Sequence, residues 1–349
     1  MSAAPRVGSA EQFAGALLGQ CLGDALGLPV EGHTPEVCAA YVEGLRAGRR
    51  RGGGRHPFGQ ISDDSQLARE LLVSWVERHA FDPADYARRI ARLFAEQRIV
   101  GYGRSTRRAA LRLLAGVPWE QAGEPPPLAG NGGAMRAAPV GLMCAGDFER
   151  LAEVAITQCR ITHADPRACA GAVAIAGATA LALERGPLEP GRFVARLLPW
   201  VARAEAGFAA ELERLPALLE QQPPEAARQL ARAGLPPGSA PDWPGISPFV
   251  LPSVLWSLYC FLRAPDDWLA AVHTAIAAGG DTDTTAAMTG ALAGARLGRG
   301  ALPPSELALV QDRGGWREAE LGALAELAWR LVYPVAGRQD AAADYSARS

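Results

Sequence analysis

The sequence predicts an all-α protein folded as one domain, and three observations carry that expectation. Apolar residues recur at helical spacing along most of the 349 residues, and no convincing series of alternating strands is present. Residues with site character also lie on both sides of the one Pro-rich stretch. The length would allow two domains, so this last observation decides for one, spanning 11–335. Apolar residues at 49% and charged residues at 21% describe a globular chain.

The segment "EQFAGALLGQCLGDALGLPVEG" opens the fold with small residues at close spacing, which permits a tightly packed, largely buried helix. "GLPVEG" ends it. "RAGRRRGGGRHPFGQ" (46–60) is a Gly- and Arg-rich loop. A helix then starts at Ser62 in "SDDSQLARELLVSWVERH", with Leu67, Leu71, Leu72, Trp75 and Val76 on one face. Helical patterns continue over 83–98, 104–115, 148–159, 166–184, 191–204 and 206–221. "GEPPPLAGNGGAMRAAPVG" (123–141) is an irregular, Gly-rich interruption, and the Pro-rich stretch at 220–248 is expected to be a surface excursion. Apolar helices resume at 249–263, 266–278 and in "AAGGDTDTTAAMTGALAGARLG" (277–298), with a last one at 305–333. The tail at 336–349 is expected to be flexible.

Composition excludes several chemistries. Every one of the 35 cationic side chains is Arg, so neither Schiff-base catalysis nor a phosphate loop ending in Gly-Lys-Ser/Thr is available. The six cysteines form no Cys-x-x-Cys pair and the five histidines are scattered, which removes zinc-type spacing. A net charge of −2 provides no field toward nucleic acid or an anionic membrane. No charged start precedes an apolar signal core, and no apolar run is judged long enough to span a bilayer. A cytoplasmic location is therefore expected.

Two stretches concentrate oxygen ligands. "SDDS" (62–65) and "DTDTT" (281–285) are both hydroxyl- and carboxylate-rich helix starts with apolar continuations. Capping and the helix dipole explain either one alone. A cap requires one oxygen, however, and Asp281, Asp283 and Thr284 offer several. If the two starts face each other, their carboxylates repel unless a cation neutralises them, and an all-oxygen set suits Mg2+ first and Mn2+ second. Two ions sharing one carboxylate would use the set economically. Glycines before each start would let the chain approach a ligand closely.

Five segments in the same order, "GALLGQCLGDALGLPVEG", "GQISDDSQLA", "GNGGAMRAAPVG", "ITHADPRA" and "AAGGDTDTTAAMTGALAGA", resemble the ADP-ribosylglycohydrolases over nearly the whole chain. The resemblance implies a single multi-helix domain with a binuclear Mg2+ (or Mn2+) cleft, and hydrolysis at the ribose anomeric carbon of an ADP-ribosylated protein or small ADP-ribose conjugate. It implies Ser62, Asp63, Asp64, Asp281, Asp283 and Thr284 as metal ligands and Glu31 as the acid that points toward the ribose; for catalysis, Glu31 or Asp283 would accept the proton of the attacking water. Asn131, Gly132, Gly133, His163 and Ser105 would contact substrate. Serines at 62 and 65 replace the family's usual threonines, which keeps the hydroxyls but loses the β-branch that orients them. A non-catalytic ADP-ribose binder and a hydrolase of a free conjugate such as O-acetyl-ADP-ribose remain alternatives.

From residues alone, Glu31 is a polar turn residue and His163 either fixes its loop or meets a ligand. Three glycines in "GNGGAMR" could expose N–H groups to a diphosphate. Arg136 is expected to pair with an internal acid. Arg49, Arg50, Arg51 and Arg55 are expected to form a solvated loop, since no aromatic residue is interleaved for stacking. The cysteines and Met135, Met143 and Met288 are expected to be core.

Overall fold

Ser9 starts the first helix, α1 (Ala10–Gly27), with a reciprocal cap: its hydroxyl accepts the Gln12 N–H while the Gln12 side chain accepts the Ser9 N–H. The computed structural model describes residues 8–50, 56–235 and 243–334. The expected tail at 336–349, together with Arg51 and Arg55, lies outside the described residues. After α1 come α2 (Pro35–Arg46) and α3 (Asp63–Arg78), the latter opened by Ser62, whose hydroxyl accepts from the Asp64 N–H. Asp82 caps α4 (Pro83–Ala95), and α5 (Arg104–Leu114) and the single turn α6 (Trp119–Ala122) follow. A 3-10 turn at Asn131–Gly133 leads to α7 (Ala138–Met143), α8 (Phe148–Arg160) and α9 (Pro166–Ala182). Asp165 caps α9, with proline at its first helical position, as expected.

Beyond α9 the chain forms α10 (Pro190–Ala204), α11 (Ala206–Glu213), α12 (Leu215–Leu218) and α13 (Pro223–Leu230). The core is completed by α14 (Val250–Arg263), α15 (Trp268–Ala277) and α16 (Thr282–Leu297). The short α17 (Pro304–Leu307) and α18 (Glu318–Val332) follow. Among the described residues there is no strand, only isolated bridges such as Gly130 to Phe249 and Ile246 to Gly280. The all-α expectation holds.

The centre of the fold is the pairing of α1 with α16. Gly15, Gly19, Gly23 and Gly27 recur every four residues and so lie along one ridge of α1. A Cβ on them would stand 2.3, 2.4, 2.1 and 2.3 Å from the carbonyl oxygens of Gly294, Gly290, Ala286 and Thr282. No side chain fits there, so the two backbones touch. The partners descend in number as α1 ascends, so the helices are antiparallel, and the end of α1 meets the beginning of α16. The Thr282 hydroxyl donates to the Gly27 carbonyl at 2.9 Å, fixing the register of the pair, and the Trp268 indole N–H, from α15, donates to the Gly290 carbonyl at 3.0 Å. On the other sides of α1, Leu17, Leu18 and Leu22 are buried, each worth about 1.5–3 kcal/mol.

Four expectations need correction. The helix α2 was not anticipated; only Cys38, Val42 and Gly44 of it are buried, so its apolar stripe is thin. The single helix expected at 305–333 is two, because Gln311 pairs through its backbone with Gly59 and Ile61, and the turn at Arg313–Trp316 has positive φ at Arg313, Gly314 and Trp316. The 206–221 helix breaks between α11 and α12, and the 220–248 excursion contains α13. Finally, Ala10–Val30 does have the length and composition of a membrane span, but 89% of that window is buried inside the fold, as for a core helix.

Adding one methyl group at the ridge tests this packing. Gly19→Ala, remote from the acidic residues, is expected to cost about 1–3 kcal/mol by forcing the helices apart, measured by urea denaturation.

Candidate active site

The antiparallel register brings three chain segments to one place: the end of α1, the start of α3 and the start of α16. Asp24, in the last turns of α1, is fully buried. Its two carboxylate oxygens accept the Ser62 N–H at 3.0 and 2.9 Å, and one also accepts the Ser65 N–H at 3.2 Å. Asp24 thus caps α3 from a neighbouring helix, where the positive end of the dipole favours its charge. Asp24 is not among the site residues expected from the sequence. The signal was available, since Asp24 is the one charged side chain between Gln12 and Gly27 in an otherwise apolar run.

Ser62 donates its hydroxyl hydrogen to Asp64 Oδ2 at 2.7 Å. Asp281 occupies the position before α16 but caps no backbone N–H, so capping does not explain it. Instead its carboxylate accepts the Asn131 side-chain amide at 2.6 Å. Ligand oxygens of Asp24, Asp64 and Asp283 all lie within 4.8 Å of one another, and those of Glu31, Asp281 and Asp283 do the same. Asp283 belongs to both groups. Asp63 is in neither, although Asp64, Asp24, Glu31 and Asp281 lie close enough to raise it. The segments that the sequence suggested would face each other do so.

Burial raises every carboxyl in the cluster, and mutual repulsion adds to it. Asp281 is pushed up to about 8, mainly by burial and then by Asp64, with the Asn131 amide pulling back. Asp64 reaches about 6 through burial, restrained by hydrogen bonds from Ser62 and Thr284. Asp24, Asp63 and Asp283 lie well above the usual carboxylate range for the same first reason. Glu31 stands exposed at the mouth and is also raised, by partial burial of its carboxyl and then by Asp64. None of these six acids forms an ion pair among the described residues. Asp64 Oδ1 is buried without a hydrogen-bond partner. An all-oxygen set with converging negative charge and an unused lone pair fits a hard divalent cation.

Around this cluster the other expected residues fall into two sets. Asn131 reaches it directly. Gly132 and Gly133 are buried, and their missing side chains make room for protein: a Cβ would stand 2.5 Å from His163 Cε1 and 2.2 Å from Cys159 Sγ, respectively. His163 is buried beneath this loop. Ser105 is half-buried in the first turn of α5, and no contact among the described residues ties it to the acids. Gly101, four residues earlier, does reach them, where a Cβ would stand 3.2 Å from Ser62 Cβ and 3.7 Å from Asp63 Oδ1.

The glycines before each helix start also approach protein and not open space. Gly59 lies against the Leu309 carbonyl, while Gly279 and Gly280 take positive φ against the 33–35 turn and Ile246. The internal ion pair expected for Arg136 is not found among the described residues, where its hydrogen-bond partners are Gln158 and Thr162. Arg50 pairs with Glu306 and Arg108 with Glu124. All six cysteines are buried and free.

Comparison with known proteins gives the family of the chain. Residues 5–339 match the ADP-ribosylglycohydrolase family. The chain is 29% identical over 344 residues to the Homo sapiens protein "ADP-ribosylhydrolase ARH3", covering 90% of this chain and 92% of that one. It is 29% identical to "ADP-ribosyl-[dinitrogen reductase] glycohydrolase" of Rhodospirillum rubrum, covering 83% and 86%. A solved structure titled "ADP-ribosylglycohydrolase-related protein complex" superposes with a TM-score of 0.67 at 30% identity, over 93% of this chain and 98% of that one. With a family match spanning nearly every described helix, and acids converging where its motifs lie, the chain belongs to the ADP-ribosylglycohydrolase family.

Proposed function

We propose that this protein is a divalent-cation-dependent hydrolase that releases ADP-ribose from a modified side chain or small conjugate by cleaving the bond at the ribose anomeric carbon. The single observation that carries it is the pair of acidic groups sharing Asp283. Two ions, Mg2+ or Mn2+, would be held by Asp24, Asp64 and Asp283 on one side and by Glu31, Asp281 and Asp283 on the other, with Ser62, Asp63 and Thr284 around them. Such ions supply charge neutralisation, orientation of the sugar hydroxyls and activation of water.

The remaining work falls to the chain. Cleavage passes through an oxocarbenium-like state, in which the bond to the leaving nitrogen or oxygen breaks as a water oxygen bonds to the anomeric carbon. Negative charge at the floor of the cleft favours that developing positive charge. Glu31 is the exposed carboxylate of the group that shares Asp283, and that place suits it to take the proton of the water and return one to the leaving group. Asn131 holds Asp281 in place. Six buried thiols suit a reducing compartment, which supports a cytoplasmic location for this reaction.

Three outcomes are expected. Excess chelator abolishes ribose release from a panel of arginine-, serine- and O-acetyl-linked substrates, and Mg2+ or Mn2+ restores it; full turnover in chelator would exclude the cation. Asp283→Ala lowers kcat by about 10²-fold or more with circular dichroism unchanged. ADP-ribose affinity without release from any substrate would mark a binding protein instead. For Glu31 acting as base, the ionised form is required, so kcat/KM falls on the acid side as Glu31 takes up a proton. Glu31→Gln removes that limb.

A further inference from the structure

Arg136 is fully buried, and among the described residues its guanidinium forms no ion pair; its hydrogen bonds go to Gln158 and Thr162. Nε donates to Gln158 Oε1 at 2.9 Å, and Nη2 donates to the Gln158 carbonyl at 2.9 Å and to Thr162 Oγ1 at 2.8 Å. The group lies 5.5 Å from the Tyr86 ring centroid, and Nη1 has no hydrogen-bond partner. Burying an arginine without a counter-ion is costly. The hydrogen bond to Thr162 shows what this one controls.

Thr162 Oγ1 has two polar neighbours, Arg136 Nη2 and, at 2.8 Å, His163 Nδ1. A guanidinium can only donate, so the threonine oxygen is the acceptor on that side. Its single hydrogen is then directed to Nδ1, which must present a lone pair. The opposite arrangement, with Nδ1–H donating to Thr162, would strand the hydroxyl hydrogen of a fully buried threonine. The ring hydrogen therefore sits on Nε2. Burial and the Arg136 charge push His163 down to about 3, so the ring is neutral at physiological pH. Nε2 lies against the loop, where a Cβ on Gly130 would be 3.2 Å from it, and no protein acceptor binds it among the described residues. The next residue along that loop is Asn131, which reaches the acidic cluster.

We propose that Arg136 and Thr162 are positioning residues that hold His163 as the Nε2–H tautomer, so that the 130–133 loop offers its ligand a hydrogen-bond donor and never an acceptor. The ligand atom it fits is an oxygen bearing a free lone pair, either a ribose hydroxyl or a phosphoryl oxygen. Only the choice of ADP-ribose as probe rests on the function proposed above.

The test uses the full chain with 15N-labelled histidine, the His163 signals being assigned by their loss in His163→Gln. In the wild type, Nδ1 is expected to be unprotonated and Nε2 protonated. Thr162→Ser retains that pattern, whereas Thr162→Val yields mixed tautomers and weakens free ADP-ribose, titrated by calorimetry, by about tenfold, the loss of one hydrogen bond. Arg136→Lys keeps a donor to Thr162 and is expected to hold the wild-type tautomer. A protonated Nδ1 in the wild type, which requires no variant to fold, overturns the proposal. So does a Thr162→Val protein with unchanged tautomer, or with a changed tautomer and unchanged affinity. A chain that binds ADP-ribose and releases none from any substrate would refute the hydrolase function and leave these spectra to decide the tautomer separately.

Discussion

The backbone contact between α1 and α16 is the constraint on which the rest depends. Gly15, Gly19, Gly23 and Gly27 let two helices from opposite ends of the chain meet without side chains between them. Close approach brings dispersion and exact register together. That register places the last turn of α1 beside the first turn of α16, and α3 is then drawn in because Asp24 accepts two of its N–H groups. Displacing the ridge by one residue would separate Asp24 from Asp283 and empty the cluster of its meaning.

The cluster works against stability. Five buried carboxylates with no cationic side chain among the described residues paired to them are raised in proton affinity by burial, four of them also by a neighbouring acid, and the fold tolerates this through dipole, hydroxyl and amide donors. Such local conflict between folding and charge is the mark of a functional site in an otherwise consistent structure. Arg136 repeats the pattern on a smaller scale beneath the loop.

Much of this was legible in the residues. The helical class, the small-residue character of α1 and α16, and the two acidic helix starts follow from spacing alone, because each is a local property. Asp24 was equally visible as a charge inside an apolar run, although its role as a cap for a distant helix was not. The packing role of the glycines at 130–133 was hidden: the space left by their missing side chains is filled by His163 and Cys159, which arrive from α8 and the turn after it. The break at 308–317 was hidden for a similar reason, since its cause is pairing with Gly59 and Ile61 across the fold. The thin stripe of α2 offered too few buried positions to stand out.

The same glycine ridge bears on synthesis. α1 is made before α16, and 255 residues separate Gly27 from its partner Thr282, so an apolar helix must wait for its partner while the chain between them is synthesised. During that interval its bare ridge is a natural target for chaperones. A chain interrupted before α16 would carry the exposed helix permanently and be removed by proteolysis.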